Sequence, residues 1–103
     1  MATYISTIKF TEQGVKSISE TTKRAAAFKA SAKKIGVKVR DQFWTLGQFD
    51  GILIFDAPDD MAATTLMYQL ASLDNVQTAT MRAFSAGEMD EILGNLSGNN
   101  KKK

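Results

Sequence analysis

Between positions 36 and 58 the chain reads as two strands joined by a four-residue turn, and a segment of helical period followed or preceded by one further strand brackets this hairpin on each side. Few arrangements of a short chain satisfy that order. Residues 3–10 are rich in β-branched and aromatic types, with Tyr4, Ile8 and Phe10 on one phase and Ile5 on the other, and so predict a first strand. From Thr21, which can cap a helix, Ala25, Phe28, Ala32 and Ile35 recur at three- and four-residue spacing; Lys33 and Lys34 suit the last turn and Gly36 the stop. A short separate turn over 12–18 precedes this helix. Residues 37–46 and 51–57 predict the hairpin strands around Gly47-Gln48-Phe49-Asp50, and the centre of the second, Ile52-Leu53-Ile54-Phe55, is apolar on both faces.

Pro58, Asp59 and Asp60 mark a second helix start, and Ala63, Leu66, Met67, Leu70 and Leu73 form its apolar stripe. A fourth strand over 76–84 follows. Ser85 with Glu88 three residues on makes a capping box for a short last helix carrying Met89, Ile92 and Leu93. The pattern predicts an α+β, ferredoxin-like β-α-β-β-α-β domain over 1–94, with a four-stranded antiparallel sheet, two long helices on one face and a short C-terminal helix, and a disordered basic tail over 95–103. Two helices cover one face of such a sheet only, yet these strands carry large apolar groups on both. The expected partner for the second face is another copy of the chain, as a homodimer or a multiple of dimers.

Composition removes whole classes of chemistry. With no cysteine and no histidine, the chain has no disulfide, thiol nucleophile, thiolate or imidazole metal site, iron–sulfur ligation or Ser-His triad, and no cofactor is expected. The sequence has no apolar run long enough to span a bilayer and no secretory signal pattern, which predicts a cytoplasmic protein without a membrane partner. Three of the thirteen basic residues are the terminal Lys101, Lys102 and Lys103; without them ten basic residues face eleven acidic ones, so the folded body is near neutral and no nucleic-acid partner is expected.

The segments Leu46-Gly47-Gln48-Phe49-Asp50, Ala57-Pro58-Asp59-Asp60 and Asn75-Val76-Gln77-Thr78-Ala79-Thr80-Met81-Arg82-Ala83-Phe84, taken in order, resemble the GYD domain family. Lys9-Phe10-Thr11 leading to Gly14, and Arg24 early in the long helix, add to the likeness, which extends over about 2–93. The resemblance implies a ferredoxin-like fold of the dimeric α/β-barrel kind, in which the sheets of two subunits face each other, and implies no particular reaction. The signature tyrosine of the Gly-x-Tyr-Asp hairpin is Phe49 here, so a role needing a phenolic hydroxyl at that position has no residue to perform it.

Several side chains are candidates for a site. Gly47 and Asp50 read as turn formers; in the alternative, a partly buried Asp50 at the mouth of a cleft is a general base. Thr78, Thr80 and Arg82 share one strand phase, and can hold an anionic oxygen if that phase faces the interior between subunits, or else make structural ion pairs and hydrogen bonds. Tyr4, Phe43 and Trp44 read as core or interface, or as the walls of a pocket for a planar compound. Asp56, Asp59 and Asp60 are accounted for by the helix start, and no metal is expected. Arg24, with Lys23 and Lys29, reads as a solvated helix face, although the resemblance singles it out. Three functional readings follow: an oligomeric small-molecule-binding or interaction module; a cofactor-independent oxygenase- or isomerase-like enzyme in which Arg82 and Thr80 stabilise an oxyanion while Asp50 or Tyr4 moves a proton; and a purely structural oligomer component.

Overall fold

The computed structural model describes the backbone of residues 1–102 and the side chains of residues 1–96. Its elements are β1 (Ala2–Phe10), α1 (Glu12–Lys16), a 3₁₀ turn (Ile18–Glu20), α2 (Thr21–Lys34), β2 (Lys38–Trp44), β3 (Gly51–Ala57), α3 (Asp60–Ala71), β4 (Val76–Ala83) and α4 (Ala86–Lys102). The strands form one antiparallel sheet in the order β2-β3-β1-β4, the topology expected from the sequence. Among the described residues no helix is long and apolar enough to cross a membrane.

Register decides the two faces. Tyr4 pairs with Phe55 and Arg82, Ser6 with Leu53 and Thr80, and Ile8 with Gly51 and Thr78, so these residues share one face. That face carries the helices. Phe28 and Ala32 of α2 and Ala63 and Leu66 of α3 pack onto Tyr4, Val39, Leu53, Phe55 and Ala57 to form the core. Among the described residues Ser6 is the one buried polar residue of this core; its hydroxyl shares a hydrogen bond of 2.6 Å with Thr80 Oγ1 and reaches Met67 Sδ at 3.3 Å. The desolvation of the serine is thus offset by two partners.

On the opposite face Ile5 pairs with Ile54 and Met81, and Phe43 with Ile52. Among the described residues no helix lies over this surface, because α2 and α3 occupy the other side and α4 makes only glancing contact with any other element. Met81 and Phe43 are half exposed. At its margin Asp56 accepts from Thr3 Oγ1 at 2.7 Å and pairs with Arg40 at 3.5 Å. The face therefore has an apolar centre and a polar rim.

Two local expectations change. Thr21 is the first residue of α2 and not its cap; Glu20 occupies the cap position, and the Thr21 hydroxyl instead accepts from Trp44 Nε1 at 3.0 Å. The last helix does begin at the Ser85–Glu88 capping box, with reciprocal bonds of 2.8 and 3.1 Å, but it runs on through Gly94 to Lys102 and is not short. The tail expected from position 95 begins inside this helix, and its side chains from 97 onward lie outside the described residues.

Candidate functional site

The most enclosed cleft lies on the helix side, between α2, α3 and the sheet, with a volume of about 90 Å³. Ile8, Phe28, Leu53, Leu70 and Val76 give it apolar walls, and Arg24, Gln42, Trp44, Asp50 and Asn75 add polar groups. Arg24 follows from helical spacing: it lies four residues before Phe28 and three after Thr21, and both of those point toward the sheet. Lys23 and Lys29 are exposed as expected, but Arg24 turns inward. Its Nη1 donates to the Ser17 carbonyl at 2.9 Å and the Ser17 hydroxyl at 3.1 Å, while its Nη2 is buried and meets no acceptor among the described residues. The stripe containing Phe28 and Ala32 was the signal that could have placed Arg24 here.

Trp44 and Asp50 reach the same cleft from the hairpin. The indole bond to Thr21 ties the end of β2 to the start of α2. Asp50 Oδ2 accepts from the Phe10 amide at 2.8 Å, its own amide donates to the Ile8 carbonyl at 2.8 Å, and its carbonyl accepts from the Thr45 amide at 2.9 Å. Asp50 is therefore what stitches the hairpin to β1, and it is one of the residues that line the cleft. Gly47 has φ of 132°, a conformation that side chains with a Cβ rarely adopt, which accounts for glycine at that turn. Phe49 is half-buried, and its carbonyl accepts from Thr45 Oγ1 at 2.6 Å.

Tyr4, Thr78, Thr80 and Arg82 gather elsewhere, in a shallow groove between α3 and β4 that also includes Asp60 and Tyr68. The face they share is the helix-covered one, not the open one. The Tyr4 ring stacks on Phe55 at 5.3 Å, and its hydroxyl donates to Asp60 Oδ1. That bond, then burial, raises the phenol above its ordinary value, so Tyr4 stays protonated. Arg82 donates to the carbonyls of Thr3 and Ala83, pairs with Glu88 at 3.5 Å and stacks over Phe84 at 4.6 Å. The Ser85 amide, with Arg82 adding its charge, holds the Glu88 carboxyl below its ordinary range. These bonds engage the guanidinium in the junction between β4 and α4.

α3 separates the two groups. Asp50 lies beside Ile8 and Phe10 and Arg82 beside Tyr4, about five residues apart along β1, or roughly 16 Å. Arg82 and Asp50 are therefore not brought to one substrate, whereas Tyr4 lies in the same groove as Thr80 and Arg82. Each acidic residue near Pro58 has its own partner: Asp59 caps α3 through the Ala62 amide at 2.8 Å, Asp60 accepts from Tyr4, and Asp56 from Thr3. Among the described residues no three acidic groups gather as a metal site would require.

An antiparallel sheet in this order, helices on one face and a Gly-Asp hairpin stitched to the first strand define an α+β domain of ferredoxin-like topology. Residues 4–93 match the model of the GYD domain, and the chain belongs to that family. No curated protein matches it.

Proposed function

We propose that this GYD domain is a homodimeric small-molecule-binding module, with its ligand in the cleft between α2, α3 and the sheet. The observation that carries the reading is the cleft: apolar walls reach down to the sheet, and a few polar side chains converge on it from α2, the hairpin and the start of β4. Sites of that make-up take up the apolar body of a compound and orient it by a small number of polar contacts. Support for self-association comes from the open face, where Ile5, Ile52, Ile54, Met81 and Phe43 form an apolar centre rimmed by Thr3, Asp56 and Arg40. An apolar core with a polar rim is the anatomy of protein interfaces, and a twofold axis lets one such patch cover its own copy. Nothing in the cleft forms a nucleophile–base pair, so binding without turnover is expected.

Native mass spectrometry of the untagged chain tests both parts. A dimer carrying a reproducible extra mass, lost when Leu70→Trp fills the cleft, is the expected result. A monomer at micromolar concentration with no adduct and no saturable binding of small organic compounds would overturn the proposal.

A further inference from the structure

We infer that the cleft selects small carboxylates, and that Arg24 is the residue that reads them; this rests on the proposal that the cleft is the binding site. The argument begins with charge. Arg24 carries a permanent positive charge in a part-buried position, and no carboxylate among the described residues forms an ion pair with it. Ser17 occupies Nη1 and fixes the plane of the guanidinium, which leaves Nη2 buried with no acceptor. A buried donor on a charged group is costly to leave unmet, and an anionic oxygen satisfies both the charge and the hydrogen bond.

The rest of the cleft sets orientation and size. Asn75 lines it too; its side-chain oxygen accepts from Gln13 Nε2 at 3.0 Å, which turns its amide NH₂ into the available group. Asp50 is the one acidic residue of the lining, and it repels an anion, so the carboxylate lies toward Arg24 and the apolar end toward Phe28 and Leu70. A volume of about 90 Å³ is smaller than the roughly 150 Å³ apolar cavity that admits benzene, so the cleft takes only part of a compact aliphatic acid and the rest of the molecule extends from its open side.

The test uses the uniformly ¹⁵N-labelled full chain, with 3-methylbutanoate and 3-methylbutanamide as probes. Trp44 is the only tryptophan and lines the cleft, so its indole N–H resonance reports occupancy without ambiguity. The expected result is a saturable shift with the carboxylate at an apparent Kd about tenfold or more below that of the amide, a gap erased by Arg24→Met and partly kept by Arg24→Lys. Amide-proton dispersion of each variant confirms that it is folded. Equal affinity for acid and amide, or an unchanged gap in folded Arg24→Met, would overturn carboxylate selection and leave the binding module standing. No saturable shift with either probe would overturn carboxylate selection as well, while the binding module stands or falls with the native mass spectra and the wider set of small compounds.

Discussion

Replacing Gly14 by alanine sets two physical effects of opposite sign against each other. Gly14 is inside α1 and its φ is not positive, so alanine meets no backbone strain there and should favour the helix by up to about 1 kcal/mol. The added Cβ, however, would stand 2.0 Å from the Asn75 carbonyl oxygen and 3.0 Å from its carbon. Backbone cannot rotate out of the way as a side chain can, so α1 must retreat from the α3–β4 turn by roughly 1 Å to restore an ordinary carbon–oxygen contact. That turn holds α1 through Thr11 N to Asn75 O at 3.0 Å, Thr11 Oγ1 to Asp74 O at 2.7 Å, and Gln13 Nε2 to Asn75 Oδ1 at 3.0 Å and to Leu73 O at 3.2 Å. A retreat of that size takes such bonds to the edge of hydrogen-bonding range or past it, and each is worth about 1 kcal/mol. Loss of about three of these four bonds, two of which share the flexible Gln13 side chain, against one gained propensity term gives a net destabilisation of about 2 kcal/mol. Urea unfolding at fixed protein concentration, followed by Trp44 fluorescence, should show a midpoint lower by about 1 M. A Gly14→Ala protein as stable as the parent, or more stable, would refute the reasoning that this glycine is required by close approach.

Three further outcomes follow from named contacts. Because the Tyr4 phenol is raised, its folded-state contribution is complete below its ordinary value near pH 10 and is lost as pH rises through the raised value; Tyr4→Phe should flatten the alkaline slope of stability measured by chemical denaturation at several pH values. Glu88 is shifted the other way, so its contribution is present above its ordinary value of about 4.3 and disappears as pH falls through the lowered one; Glu88→Gln should remove that acid-side slope from the helical signal in circular dichroism. Ile54→Lys places a charge at the centre of the open face while leaving the helix-side core untouched, and sedimentation velocity should report a dimer for the parent and a folded monomer for the variant.

Much of the fold was legible because the relevant interactions are local. The apolar run within 51–57, the stripe of Phe28 and Ala32 and the Ser85–Glu88 capping box depend on residues within a few positions of one another, and all stand in the structure, whereas the Asp50 carboxylate binds the Phe10 amide, 40 positions away. Only tertiary structure decided which phase of each strand meets the helices. Thr78, Thr80 and Arg82 share a phase in any model, but the pairing of β4 with β1, and of β1 with the layer carrying Phe55, turns that phase toward α3. The candidate site divides along the same line. Trp44 and Asp50 join Arg24 on one side of α3, and Tyr4 joins Arg82 on the other, because register and helix placement are set by contacts between residues dozens of positions apart. Periodicity states that a residue shares a face with its neighbours; which face is buried, and what lies across from it, is a property of the assembled layers alone.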